Sequence, residues 1–254
     1  MNRASVARSI FVGLLIMLFP TGLVRPLLNL MGHCISRGSR VGFSWLFCDF
    51  IGLDEGSRIG HFNVVVVRRL LLRQKALLGR ANLLKGPLNV LLKDCAAIGS
   101  ENRILRARTG ITSGPAQLLL GNLAKITASH RVDCAQSVSI GEFSTLAGAG
   151  SQIWTHGYVH ELEGKGRYRL DGRVEIEDNV YIGSACFISM GVRIVKGVIV
   201  GGGTSISRSL LEPGLYVSAP VRHLDRPASP DTRSDLQRVH DPKLCEVVFR
   251  KSRS

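Results

Sequence analysis

Aromatic residues make up 6% of this 254-residue chain, against 28 glycines. Such a small stock of rings disfavours a globular core of large side chains and suits a narrow backbone that turns repeatedly. The six cysteines, Cys34, Cys48, Cys95, Cys134, Cys186 and Cys245, form no C-x-x-C pair and show none of the short spacings of a stapled mini-domain. Free thiols in a reducing compartment are therefore expected, with Cys186 packed in a wall of the fold. Zinc-ligand spacings, a basic heptad helix and aromatics interleaved with arginines are all missing, and with them the common nucleic-acid modules. No apolar run approaches the roughly 20 residues needed to span a bilayer, the run Ile10–Phe19 being about half that length.

What is abundant is positive charge. A formal net charge of +14 should draw anions, whether nucleic acid, anionic lipid or phosphorylated small molecules. With the nucleic-acid modules missing, no nucleic-acid partner is expected.

The chain is organised around Val174–Arg222. Apolar β-branched residues stand there at Ile176, Ile182, Ile188, Ile194, Val200 and Ile206, each six after the last. A strand repeats every two residues and a helix every 3.6, so this period needs another shape. Coils with three short flat faces supply it, every sixth side chain pointing inward onto its equivalent in the next coil. The alternative is an ordinary buried parallel sheet. Gly183, Ser184, Gly201 and Gly202 follow apolar positions where a corner leaves little room. A looser beat runs from Ile35 through Val41, Phe47, Leu53, Ile59 and Val65, then in shorter groups (Leu72–Leu84, Leu92–Ile104, Leu120–Val132, Ile140–Leu146). Each slip marks a bulge or loop, with Gly86-Pro87 and Arg106–Pro115 as candidates. Asn63, Asn82 and Asn102 each follow an apolar-Gly pair by the same interval, which predicts a structural stack of amides in aligned turns.

Three segments lie outside the beat. Residues 1–34 hold two short apolar stretches hinged at Pro20-Thr21-Gly22, read as helices that attach to a membrane surface or cap the open end of the coils. A cleaved signal peptide would fit the order Arg3, Arg8, then apolar residues, but no A-x-A-like site follows. Residues 155–173 are polar, charged and glycine-rich, too long for a corner, and are expected as an extruded loop of the kind that carries chemistry in repeat proteins. Residues 223–254 read as an irregular tail with a short helix near Ser234–Val239 and an apolar stretch Cys245–Phe249. The coils themselves are assigned to 35–222.

Two histidines, His156 and His160, stand in the extruded loop, and His130 and Asp133 on an earlier coil. Histidine titrates near neutrality and is the usual base for taking a hydroxyl proton. Spacing of four between His156 and His160 would serve a metal only on a helix, and Gly157 opposes one, so no metal is expected. A β-helical carbonic anhydrase would need three histidine ligands on zinc.

The hexads and the closing segment Glu212–Arg222 resemble the hexapeptide-repeat acyltransferases, sugar O-acetyltransferases in particular. The likeness is most specific from Gln152 to Arg222 and weaker, though in phase, back to about Ile35. It implies an all-β fold, a left-handed parallel β-helix solenoid, with the apolar helical N-terminal segment and the tail as appendages. It implies a homotrimer with sites between subunits, and transfer of acetyl from acetyl-CoA to a saccharide hydroxyl. Trp154-Thr155-His156 resembles the family segment whose histidine acts as general base, which makes His156 the catalytic candidate. His130, Asp133, His160 and Tyr181 are supporting or acceptor-binding candidates; coil counting puts His130 a face away from His156 within one subunit, and it and Asp133 could approach His156 across a subunit boundary. Ser184, Gly202, Ser207, Arg208 and Arg222 match the family's cofactor groove. Arg208 stands where the family often has Lys, and Ser218 where it often has Asn. A lipid-linked or polymeric sugar would place the protein in the cytoplasm, peripheral on the inner face of the cell membrane. The competing expectation is a β-helix scaffold or sugar-binding module without catalysis.

Overall fold

The computed structural model describes residues 3–108, 112, 114–160, 162, 166–218, 236–239 and 248–251. Two units are distinguished, Met1–Ser218 and Ala219–Ser254. The first is a solenoid of parallel strands with three faces. Nine two- and three-residue strands, from Arg40–Val41 to Gly214–Tyr216, stack as the first face. The second face runs through Leu83–Lys85, Arg103–Leu105, Arg131–Asp133, Gln152–Ile153, Phe187–Ile188 and Ser205–Ile206, and the third through Leu88–Leu92, Ala116–Leu120, Val138–Ile140, Val174–Ile176 and Arg193–Ile194. Near the N-terminus the long strands Trp45–Leu53 and Val64–Leu72 cross the corner between the second and third faces, so these two faces are hydrogen-bonded as one sheet.

The six-residue beat is the inward column. Ile176, Ile182, Ile188, Ile194, Val200 and Ile206 are all buried, as are Leu72, Leu78, Leu84, Leu92, Ile98 and Ile104 in the earlier coils. Each stacks on its equivalent, Ile176 opposite Ile194 and Ile188 opposite Ile206. One assignment moves by a residue. Leu46, fully buried and paired with Val65, fills the place expected of Phe47, which is half-buried on the outside. Trp45–Leu53 turns its corner without leaving the strand, so the count slips there with no loop to mark it.

Glycine after the inward residue has a steric cause. A Cβ on Gly60, Gly79 or Gly99 would lie 2.3–2.4 Å from the carbonyl oxygen of Gly79, Gly99 or Thr127 in the next coil, closer than any side chain allows. Beside these glycines stands the amide stack. Asn82 donates to the side-chain oxygen of Asn63 at 2.9 Å and Asn102 to that of Asn82 at 3.1 Å, while the same amides bond the Gly99 and Thr127 carbonyls. His130 occupies the next rung. Its backbone N–H bonds Asn102 at 3.0 Å, its Nδ1 accepts from Ser151 N–H at 3.1 Å and its Nε2 meets Thr127 Oγ1 at 2.9 Å.

The N-terminal segment forms two helices, α1 (Arg3–Leu18) and α2 (Thr21–Leu30). Val12, Ile16, Val24 and Leu28 pack into the solenoid core. Polar side chains of α2 stand in for a missing coil: Thr21 Oγ1 accepts from Val41 N–H at 2.8 Å and donates to Val41 O at 3.1 Å, and Asn29 bonds Ile35 N–H and C=O at 2.7 and 3.2 Å. No helix among the described residues is long and apolar enough to cross a membrane. In the second unit Leu236–Val239 pairs antiparallel with Val248–Lys251. This hairpin replaces the helix expected near Ser234–Val239, a stretch too short for periodicity to separate strand from helix.

Burial holds the pKa of His130 below the ordinary histidine range, and burial and the Arg8 charge do the same for His33. The folded state therefore binds fewer protons than the unfolded chain once pH falls below about 6.5. Stability should be fully present above that pH and decline as acid is added. Urea midpoints measured from pH 7 to 5 should fall less steeply in His130→Asn, which lacks the titrating ring; an unchanged slope would clear His130 of any part.

Candidate active site

Between the second and third faces the chain leaves the solenoid at Thr155 and returns at Gly172, whose N–H bonds Thr155 O at 2.9 Å. The extruded segment is a β-hairpin, His156–His160 paired antiparallel with Arg167–Asp171. Alternation along a strand puts His156 and Tyr158 on one side and Gly157 on the other. A Cβ at Gly157 would meet Met190 Sδ at 3.0 Å, so the hairpin's inner side rests on the corner of the next coil.

At the foot of the hairpin His156 Nδ1 lies 2.8 Å from Asp133 Oδ2, with the imidazole 23% and the carboxylate 13% exposed. The same oxygen accepts Thr155 Oγ1–H at 2.6 Å and Thr155 N–H at 3.1 Å. Thr155 Oγ1 in turn accepts from Gln136 N–H at 3.0 Å. Asp133 thus arrives from the coil before His156, directly alongside it. Stacking, not sequence separation, sets the contact, and it forms within one chain.

Asp171 stands opposite His156 in the hairpin register. Burial raises its pKa, but hydrogen bonds from Arg169 and Gln136 and the Arg169 charge outweigh that and hold it below the usual carboxylate range. Trp154 and Tyr158 flank the imidazole edge-on, with ring centroids at 5.8 and 6.1 Å. Thr155 entered the sequence reading only as part of the Trp154-Thr155-His156 segment, and Gln136, Arg169 and Asp171 are absent from it. The polar character of 155–173 hinted at Arg169 and Asp171, while no sequence signal marked Gln136.

The other candidates separate by place. His130 is 1% exposed in its rung. His160 lies exposed at the far end of its strand, roughly 13 Å along from His156 at strand rise. Among the described residues no three His, Cys, Asp or Glu side chains converge as metal ligands. Ser207 and Arg208 share the corner of His156, since Trp154 N–H bonds Ile188 O and Ser189 N–H bonds Ile206 O on successive coils. Ser184 and Gly202 stack at the neighbouring corner, where Gly203 N–H bonds Ser184 O at 2.8 Å. Tyr181 lies on the first face, the one face that does not border the His156 corner. Arg222 lies outside the described residues. Of the six cysteines, Cys34, Cys48, Cys95, Cys134 and Cys186 are free. Burial pushes the Cys48 thiol up to about 12 and raises that of Cys134 as well, so neither is a nucleophile.

No family model and no curated protein matches the chain. Among solved structures it is similar to the polysialic acid O-acetyltransferase OatWY, at 18% identity over 79% of this chain and 92% of that one, with a TM-score of 0.47. It is also similar to the polysialic acid-specific acetyltransferase NeuO, at 14% identity, 78% and 88% coverage and a TM-score of 0.38. A third likeness is to a variant of AntD, an N-acyltransferase from Bacillus cereus, with dTDP and coenzyme A, at 16% identity, 79% and 88% coverage and a TM-score of 0.26. At these levels the likenesses assign neither substrate nor residue roles. By its own strand pairing the protein is a parallel β-solenoid with a hairpin-borne histidine–aspartate pair.

A carboxylate on Nδ1 fixes the neutral imidazole with its proton on that nitrogen and leaves the Nε2 lone pair outward. Nitrogen-15 NMR should find His156 in the Nδ1–H form, and Asp133→Ala should release a mixture of tautomers. A wild-type ring protonated at Nε2 would contradict the geometry.

Proposed function

We propose that this protein is an acetyl-CoA-dependent O-acetyltransferase acting on a saccharide hydroxyl, with His156 as general base. The single observation that carries the reading is the 2.8 Å contact between Asp133 and His156 Nδ1, which frees Nε2 for a substrate proton. Nε2 takes the proton of the acceptor hydroxyl as its oxygen attacks the thioester carbonyl. The tetrahedral oxyanion then collapses, the C–S bond breaks, and the imidazolium returns its proton to the departing thiolate. The Asp133 carboxylate balances the transient charge. Coenzyme A is a co-substrate here, and the C-terminal coils offer it exposed Ser207 and Arg208 at the His156 corner and Ser184 and Gly202 at the next. Arg208 would meet a phosphate.

A homotrimer fits the same reading. Tyr181, Ile199 and Leu215, opposite one another on successive coils of the first face, make an exposed apolar strip of the kind a closed ring of subunits buries. Because that face does not border the His156 corner, Tyr181 would reach a histidine on a neighbouring chain.

Location on the inner face of a cell membrane also belongs to the proposal. With the inner sides of α1 and α2 packed into the core, Phe11, Leu14, Leu18, Phe19, Leu23 and Leu30 remain exposed. The first 48 residues contain five arginines and no Asp or Glu. An exposed apolar side on a segment whose only charges are positive matches an anionic bilayer.

Acetyl transfer from acetyl-CoA to a panel of sugar acceptors should fall about 10²–10⁴-fold in His156→Ala, while the melting temperature holds. Equal rates in the two proteins would leave a scaffold or a sugar-binding module. Separately, the full chain should sediment with phosphatidylserine-containing vesicles and not with pure phosphatidylcholine, and Leu18→Glu/Leu23→Glu should stay in the supernatant. Sedimentation of that variant would remove the membrane reading.

A further inference from the structure

One ladder of outward-facing positions on the second face leads to the His156 corner. Phe47, Val66, Lys85, Leu105 and Asp133 stand on five consecutive coils, each opposite the next, and Trp154, the residue after Val132's partner Ile153, continues the row on the sixth. At the inter-strand spacing the ladder is about 24 Å long. Its N-terminal part is the floor of a cavity of about 600 Å³, walled by Arg68, Arg106, Arg108 and Pro87. Leu105 also lines a second hollow of about 240 Å³ that contains Arg103, Arg131, Asp133 and Trp154. The two hollows share Leu105 and so adjoin along the ladder, as one groove that runs from Phe47 toward the carboxylate holding His156 would.

Its charge is one-sided. The larger cavity has four cations against Asp49. In the smaller hollow Asp133 is occupied by Thr155 and His156. Among the described residues no ion pair joins Arg68, Lys85, Arg103, Arg108 or Arg131 to a carboxylate. Arg106 is engaged differently, bonding Pro87 O at 2.8 Å and Gly114 O at 2.6 Å and so closing one wall.

We propose that this groove binds an extended anionic saccharide, its acid groups on Arg68, Arg103, Arg108 and Arg131 and one sugar ring on Trp154, presenting a hydroxyl to His156. The inference rests on the acyl-transfer reading and adds the substrate class. A single sugar would occupy a fraction of the ladder, so the acceptor is an oligomer or polymer. Arginine forks suit carboxylate or sulfate groups, and a neutral glycan would leave that row of cations without counter-charge. A nucleic acid strand is the weaker fit, because Val66, Lys85, Leu105 and Asp133, between Phe47 and Trp154, offer no ring where base stacking needs a series of them.

Calorimetry on the full chain would use hexagalacturonate, a chondroitin sulfate hexasaccharide, galacturonic acid, maltohexaose and a hexadeoxynucleotide. At least one acidic hexasaccharide should bind tenfold or more tightly than the monomer, the neutral hexasaccharide and the oligonucleotide. Arg68→Ala/Arg108→Ala and Arg103→Ala/Arg131→Ala should each weaken it tenfold or more without lowering the melting temperature, and the corresponding lysine pairs should recover part of the loss. Equal affinity for maltohexaose, preference for the oligonucleotide, or indifference to both alanine pairs would overturn the proposal. His156→Ala should bind the acidic hexasaccharide as wild type does. If transfer survives that substitution while arginine-dependent binding holds, the catalytic reading fails and the groove stands; the reverse result fails the groove alone.

Discussion

Inward side chains stacked in parallel register are the constraint on which everything else here depends. Each coil buries aliphatic residues such as Leu78, Leu84 and Leu92 against equivalents above and below, at about 1.5–3 kcal/mol for each side chain fully buried. No coil could be stable alone, since its apolar interior is covered by its neighbours. The requirement that every inward residue meet its counterpart leaves no freedom of register. A position along the sequence therefore becomes a face and a height. Residues a coil apart stand within hydrogen-bonding reach however many residues were inserted between them.

This explains how the chain can carry a long insertion without disturbing its walls. Val138–Ile140 pairs directly with Val174–Ile176 even though the hairpin lies between them. The hairpin leaves and re-enters at one corner, held by the Gly172–Thr155 bond, and its inner strand leans on Met190. His156 is therefore fixed at both ends, by Thr155 bound to Asp133 and by the paired strand carrying Asp171. Gln136 ties the two carboxylates together, its N–H on Thr155 and its side chain on Asp171 at 3.3 Å. An imidazole held this rigidly would lose little freedom on acting as the proposed base.

Hexads made the solenoid legible from sequence, because the period belongs to the inward column itself. The amide stack was legible for a related reason, Asn63, Asn82 and Asn102 recurring at a fixed offset from a glycine that packing demands. Register across irregular coils was not. Counting from the beat placed Phe47 inside because the long strand Trp45–Leu53 rounds its corner without a break, and it brought Asp133 to His156 only across a subunit boundary, not within one chain, because coils of unequal length give no fixed register to count by. Strand structure in 155–173 was hidden by its charge and glycine content, since a hairpin standing off the body needs no apolar face. A single hexad pattern reports what points inward; the groove on the second face, built from outward positions, has no period to read.

The two ends of such a stack pose an edge problem, since a terminal coil presents unpaired backbone groups and an apolar cross-section. At the N-terminal end Thr21 and Asn29 each supply a donor and an acceptor to one residue of the first coil, as a further strand would, while Val12, Ile16, Val24 and Leu28 cover the interior. Capping and membrane attachment are thus not alternatives for residues 1–34. The inner side of the two helices closes the solenoid, and the outer side has apolar residues that the fold itself has no use for. A cap with no further duty would be polar on that outer side, as terminal repeats are when they face water. Its exposed apolar residues, on a segment that has arginines and no acids, are what the proposed membrane attachment would use beyond the capping.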